Sequence, residues 1–444
     1  MNTAGCAQIH LRGRAVATLE TIRYEPHHAV INPDGIQWEP SFGGKVIEGL
    51  PAIFWSDGSP WTLANQWLFH RVSSQEIVLD TAFADAKKLK AYAKWLEETK
   101  TDWLDFPRLR KERCLDRYRG SLMVEIRAGT LSASTGANRM RVAIALYRWL
   151  VDGEMISLGR PLWNEREIEI NIGNQTGFQR SIKVRTTDLR IRNRRVPEET
   201  LEDGVIPVSS EYRTRILNFA KRYASTELVL QLQLGFFSGL RVGTICDLKL
   251  ETLTRATRDP SVPGLLYLHV GPNARPPVHT KFGVSGRVPI FRPILEALLA
   301  YAQSIRRQRR ALRAEVGDKN LLFLTPRGTR YAVRERSGSA AINVAMSRLR
   351  DAAAAVGERS LENFYFHRTR ATFATALASE LMEKNPSKAV GLVKRWLLHA
   401  DEATSLKYIH YIEESPLKEA ASNGFGAAFL SILGGVDDDG YEDT

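Results

Sequence analysis

Two changes of hydrophobic period constrain this chain more than any other feature. Over most of its 444 residues the apolar positions recur at helical spacing, but in two places they alternate instead. Leu89, Tyr92, Ala93 and Leu96 fall on one helix face, with lysines between them. A second helical stretch covers 108–128. The segment 129–135 is a turn rich in N-cap residues, and Met140, Ile144 and Tyr147 share one side of the helix after it. Residues 167–172 then alternate with period two, as do parts of 181–185 and 189–192, which is the pattern of a β-hairpin. The chain turns helical again from 208. A second β-like insert lies between 264 and 291, and helices follow to 433. Such a chain folds mainly as α-helix with small β-sheet elements.

The same pass divides the chain. Residues 1–80 carry aromatics and turn signals such as Pro33-Asp34-Gly35 and Asp57-Gly58, and read as an N-terminal region of short strands and loops with no role attached. Residues 81–155 read as a compact basic helical domain, 156–207 as a β-like linker, 208–433 as a second and larger domain, and 434–444 as an acidic tail. The formal charge of +12 favours a polyanionic partner, most simply nucleic acid. Cys6, Cys114 and Cys246 are scattered, with no C-x-x-C, so neither a zinc site nor a disulfide framework is expected. No run approaches the ~18 apolar residues of a membrane span, and the N-terminus has no apolar core of signal-peptide length. The expectation is a cytoplasmic, nucleoid-associated protein without cofactor or metal.

The chemistry concentrates in the second half. Arg241 follows an apolar helix and Gly239, whose freedom allows a tight turn. A planar guanidinium there can hold two phosphate oxygens. Lys281 sits at a hairpin tip marked by Gly283 and Gly286, where an ammonium can swing into a cleft and protonate a leaving oxygen. His367 and Arg370 are three apart at a helix start, hence on one face, and helix N-termini favour anions; Arg368 is out of phase. His399 follows the apolar run 393–398, and Tyr408 lies nine residues further on. Each has an ordinary alternative: a surface arginine, a solvated lysine, a helix-capping histidine, a core tyrosine. Together they form one set of cations, proton donors and a phenol suited to phosphoryl transfer on DNA. Arg139, Arg141 and Arg148 on the basic helical domain are the candidates for holding DNA, against the reading that they are solvated surface charges.

These residues carry a resemblance to the tyrosine recombinases, the family of phage-type integrases. Gly239-Leu240-Arg241, Lys281 eight residues before Pro289, His367-x-x-Arg370, and Leu397-Leu398-His399 followed by Tyr408 match the family's wording, and 131–149 resembles its helical DNA-clamping domain. The likeness covers 81–415. Two positions depart from it. Thr244 stands where an acidic residue usually supports the arginines, and Leu398 replaces the glycine before the second histidine.

The resemblance implies a core-DNA-binding domain and a catalytic domain that clamp double-stranded DNA. It implies that Tyr408 attacks the scissile phosphate and forms a 3′-phosphotyrosyl link, with neither metal nor ATP. Arg241 and Arg370 would bind the non-bridging oxygens, His367 relay the tyrosine proton, His399 hydrogen-bond the phosphate and Lys281 protonate the leaving 5′ oxygen. Tyr411 is the rival nucleophile. A site-specific recombinase or integrase of a mobile element is expected, acting as a homo-oligomer (a tetramer) on DNA; the apolar segment 425–433 either docks on a neighbouring protomer or packs on its own domain, and accessory proteins are left open. The alternatives are relaxation of DNA of the type IB topoisomerase kind and a weak or inactive architectural DNA-binding protein.

Overall fold

The chain, seen here as a computed structural model, forms two compact units, 1–195 and 196–444. The structure describes residues 16–33, 35–156, 160–173, 179–192, 201, 205–332 and 339–413. The segment 425–433 and the acidic tail lie outside the described residues. The fold is mainly helical with small antiparallel sheets, as the periodicity implies. Among the described residues no helix is long and apolar enough to cross a membrane.

In the first unit, β1 (Thr18–Tyr24) pairs antiparallel with β4 (Ile47–Phe54), while β2 (His27–Asn32) and β3 (Gly35–Pro40) form a separate hairpin. Helices α1 (Thr62–Ser73), α2 (Leu79–Glu98), α3 (Cys114–Arg127) and α4 (Ala133–Asp152) follow. Ser132 starts α4 by accepting the backbone N–H of Thr135 at its hydroxyl. One face of α2, including Ala82, Leu89, Tyr92, Ala93 and Leu96, is buried. Ile53, Trp61 and Leu68 enter the same core as α2 and as Tyr118, Met140 and Tyr147. Strand β4 and helix α1 are therefore continuous in packing with the helices after them. Strands β5 (Glu165–Gly173) and β6 (Gln179–Thr187) make the expected hairpin, and Leu189 and Ile191 just beyond it enter this core too. The chain changes unit inside the stretch read as a linker, with the hairpin on the side of the first unit.

The second unit opens with α5 (Ser210–Tyr223) and α6 (Thr226–Ser238), N-capped by Ser209 and Ser225. Short helices α7 (Val242–Cys246) and α8 (Leu250–Thr254) lead into a three-stranded antiparallel sheet, β7 (Thr257–Arg258), β8 (Leu265–Val270) and β9 (Gly286–Phe291). Helices α9 (Arg292–Gln303), α10 (Ile305–Leu312), α11 (Ala340–Ala355), α12 (Arg368–Lys384) and α13 (Pro386–Leu397) follow, and a helix α14 occupies 402–413. The apolar helix α6 lies at the centre, with Leu232, Leu234 and Phe236 in the main core. It meets α12 so closely that a Cβ on Gly235 would sit 2.2 Å from the Thr369 hydroxyl. Glu227, at the start of α6, is fully buried and held by Arg306 at 2.7 Å, Arg310 at 3.0 Å and the Tyr301 hydroxyl at 3.0 Å. A smaller core joins α12, α13 and α14 through Phe373, Ala374, Val393, Leu397, Tyr408 and Ile409.

Candidate active site

The site grows from three helix ends. Helix α6 stops at Gly239, which takes a left-handed conformation (φ 65°), and a Cβ there would lie 2.5 Å from Phe373 and 2.7 Å from Leu397. This close approach, as well as the turn, requires glycine. The chain emerges as Leu240, buried, and Arg241, which occupies the N-cap position of α7. Arg370, in the first turn of α12, is only 2% exposed. It donates through Nη1 to the Gly239 carbonyl at 2.7 Å and through Nη2 to the Leu397 carbonyl at 2.8 Å. These oxygens end α6 and α13, and carbonyls at helix C-termini lack intrahelical partners and attract a cation. One guanidinium thus ties together the ends of two helices that are far apart in sequence.

Helix α13 ends on Leu398, held left-handed at φ 54° and ψ 47°. Here the resemblance expects glycine. The leucine stays because its side chain is used: it is buried in the main core, and its Cδ2 lies 2.5 Å from where a Cβ on Gly286 would stand. The end of α13 therefore rests on the first residue of β9. Before β9, the hairpin carries Lys281 in a tight turn, Lys281–Gly283, in which Phe282 is left-handed (φ 66°), closed by the Thr280 hydroxyl donating to the Val284 carbonyl at 2.8 Å.

These pieces enclose a pocket lined by Gly239, Leu240, Arg241, Thr244, Thr280, Lys281, Val288, Arg370, Trp396, Leu397 and Leu398. Arg241, Lys281 and Arg370, taken from three distant segments, face one cavity. Thr244, where the resemblance expects an acid, also lines it and is buried. Cys246 lies just beyond on α7, and burial pushes its thiol up to about 12, which keeps it protonated and inert at neutral pH.

The remaining members stand behind this cavity. His399 is 3% exposed; its Nδ1 is 2.8 Å from the Ser405 hydroxyl, and its backbone N–H caps the Lys394 carbonyl at 3.0 Å. Its ring stacks on Tyr408, with centroids 5.9 Å apart and planes 9° from parallel. Tyr408 is fully buried and does not line the pocket. Both readings of Tyr408, nucleophile and core residue, thus meet in one side chain: its place in this structure is the core. His367 directly precedes α12, half-buried, and Arg368 turns away to the Ile206 carbonyl at 2.9 Å, as its phase implies. Tyr411 is half-buried on α14 beside the same small core.

In the first unit, the three arginines expected to face DNA each have an acidic neighbour. Arg139 is 3.8 Å from Glu125, Arg141 is 3.5 Å from the buried Asp85, and Arg148 is 3.0 Å from Glu165 and stands over the Trp163 ring. Asp85 also binds Arg71 and Lys88. These partners come from other elements, so nothing in the local sequence announces them. Sequence reasoning also missed Asp247, Thr280 and Trp396. Among the described residues no group of three or more His, Cys, Asp or Glu is arranged to hold a metal ion.

No family model and no curated protein matches the chain. Among solved structures it is similar to the Tn1549 transposon integrase in complex with circular intermediate DNA, at 16% identity and TM-score 0.44, covering 78% of this chain and 94% of that one. A variant of that integrase with transposon right end DNA gives 15% identity and TM-score 0.47, covering 81% and 99%. The lambda integrase fragment bound to DNA gives 15% identity and TM-score 0.44, covering 80% and 96%. At these identities and scores the likeness carries no weight of its own, and the functional reading rests on the residues of the site.

Proposed function

We propose that this chain is a tyrosine recombinase, a DNA strand-exchange enzyme that cuts and rejoins duplex DNA through a 3′-phosphotyrosyl intermediate. The observation that supports this is the pocket lined by Arg241, Lys281 and Arg370, with His399 and Tyr408 stacked directly beyond Leu398. Two guanidinium groups, that of Arg370 fixed by two carbonyls, and an ammonium around one small cavity suit a phosphodiester whose charge rises in the transition state.

The roles follow from the chemistry each group can offer. A phenol has an ordinary pKa near ~10, so Tyr408 needs help to attack at neutral pH. Its proton passes to His367 as the Tyr408 oxygen bonds to phosphorus. Arg241 and Arg370 hold the non-bridging oxygens, and His399 hydrogen-bonds the phosphate. The bond from phosphorus to the 5′ oxygen breaks, and Lys281 gives that oxygen its proton. One phosphoester is exchanged for another, so the reverse step reseals the DNA. Because Tyr408 is buried in this structure, attack requires α14 to shift and present it to the pocket. Double-stranded DNA is the substrate, with a homo-oligomer assembled on it and a mobile element as the biological setting. Arg139, Arg141 and Arg148 contribute phosphate contacts by exchanging their carboxylate neighbours for DNA, so binding weakens steeply with salt.

The test is covalent trapping. Wild-type protein, Tyr408→Phe, Tyr411→Phe and Arg370→Ala are each incubated with nicked duplexes tiled across the DNA flanking the gene. Wild type and Tyr411→Phe form a denaturation-resistant adduct, Tyr408→Phe forms none, and Arg370→Ala is slower by on the order of 10²-fold or more. An adduct that survives in Tyr408→Phe overturns the nucleophile. Salt-sensitive binding without any adduct favours the architectural alternative. Relaxation of supercoils without a specific site favours the topoisomerase alternative.

A further inference from the structure

Helix α7 is only five residues long; its N-cap residue Arg241 lines the pocket, and its C-cap residue Asp247 stands at the other end. Arg241 holds the position before its first residue, and the backbone N–H of Asp247 closes its last turn. The Asp247 carboxylate reaches across to the hairpin, where it accepts the backbone N–H of His279 at 2.7 Å. His279 stands two residues before Lys281. Two cations neutralise the carboxylate: Lys249 donates to the same oxygen, and Arg330 lies 3.3 Å from the other. Arg330 is itself held 2.9 Å from Asp318, so this anchor belongs to a network and is not a lone surface pair. On either side of the gripped N–H the hairpin is closed by its own bonds. Gly271 and Val278 exchange two backbone hydrogen bonds, at 3.0 and 3.1 Å, and Thr280 bonds Val284.

We propose that Asp247 is a positioning residue for Lys281. It fixes the lysine-bearing turn to the helix that presents Arg241, so that the proton donor and one phosphate ligand keep a set separation. The inference rests on Lys281 acting as the general acid. A displacement of about 1 Å in a catalytic group can cost about 10²-fold in rate, and a single hydrogen bond to a loop backbone is the kind of restraint whose loss allows it. The carboxylate is suited to this because Lys249 and Arg330 hold it in place, while one of its lone pairs goes to the hairpin.

Replacing the leaving oxygen by sulfur separates positioning from folding. When phosphorus parts from a bridging 5′ oxygen, that oxygen must take a proton from Lys281. A 5′ sulfur departs as thiolate, since an ordinary thiol has a pKa of about 8.5, and needs no proton. The probe is the duplex on which wild type forms its adduct, synthesised with oxygen or with sulfur at the scissile 5′ position. Lys281→Ala should be slow on oxygen and restored on sulfur. Asp247→Ala should be about 10²-fold slower than wild type on oxygen and within about 3-fold on sulfur. Asp247→Asn keeps an acceptor for the His279 N–H and should stay close to wild type on both. His279→Pro removes the donor from the other side and should repeat the alanine pattern, which decides the matter if Asp247→Ala does not fold. Equal slowing of folded variants on both substrates, or no slowing on oxygen, overturns the role of Asp247. Failure of sulfur to restore Lys281→Ala overturns the general-acid reading instead, and absence of any wild-type adduct overturns the proposed function.

Discussion

Leu398 offers a prediction whose sign is set by the backbone and not by the side chain. It occupies the left-handed region at φ 54°, where a non-glycine residue costs about 1–2 kcal/mol. Its side chain is 8% exposed and packs on Gly286. Leu398→Ala removes that packing and keeps the left-handed cost, so the loss should fall in the usual range for a buried leucine, about 2–5 kcal/mol. Leu398→Gly loses the same packing but recovers about 1 kcal/mol of backbone strain. The glycine variant should therefore be the more stable of the two by about 1 kcal/mol, whereas in a helix interior glycine is the worse by a similar amount. Because the chain has two units, the measurement must report on the second alone. Trp396 is the tryptophan of that unit, two residues from the substitution. Urea unfolding followed by the fluorine resonance of fluorotryptophan at Trp396 reads it directly. An alanine variant as stable as the glycine variant, or more so, would refute the argument.

Gly235→Ala, which would gain up to about 1 kcal/mol in a free helix, should instead lower the melting temperature. Its Cβ would meet Thr369 at 2.2 and 2.9 Å, and overpacking costs about 1–3 kcal/mol; a stabilised variant contradicts the close approach of α6 and α12. Glu227→Ala leaves Arg306 and Arg310 without their buried carboxylate and should cost about 3–5 kcal/mol in denaturant titration; a loss below about 1 kcal/mol would show the network to be dispensable. Asp188 provides a pH test in the first unit. Burial pushes its carboxyl up, but hydrogen bonds from Arg110 and from the Asn164 N–H, with the Arg110 charge, outweigh it, and the group titrates below its ordinary value. A depressed carboxylate stabilises the fold above its unfolded pKa and loses that contribution as pH falls through the folded one. Asp188→Asn should thus be less stable than wild type at neutral pH, with the gap closing below about pH 4. A gap that is constant with pH falsifies the linkage.

What could be read in advance was local. The period changes announced both hairpins and the helices around them, because burial of one face is written into consecutive residues. Gly239, Arg241, Lys281, Arg370 and His399 could be named from spacing because each sits at the end of an element, where a turn residue marks the boundary. The packing of Ala17, Ile53, Trp61 and Leu68 into the core of α2 and α4 could not, since it joins surfaces distant in sequence. Nor could the ion pairs of Arg139, Arg141 and Arg148, whose acids come from other elements. Leu398 was visible as a departure, but its use was not, because the matching vacancy is Gly286, 112 positions earlier and on another element. Asp247 carried no signal, as an acid after a short helix is usually a solvated cap. The burial of Tyr408 follows from Phe373, Val393 and Ile409 closing around it, a contact among three helices.

In the proposed reaction one side chain, Tyr408, bonds to DNA at a 3′ phosphate. Digestion of the trapped adduct with trypsin and nuclease leaves a nucleotide-bearing peptide that begins at Tyr408, after Lys407, and also contains Tyr411. Fragmentation in the mass spectrometer assigns the modified residue. A 3′-linked nucleotide on Tyr408 and a free 5′ hydroxyl on the released strand are expected. A nucleotide on Tyr411, or a 5′ linkage, would contradict it.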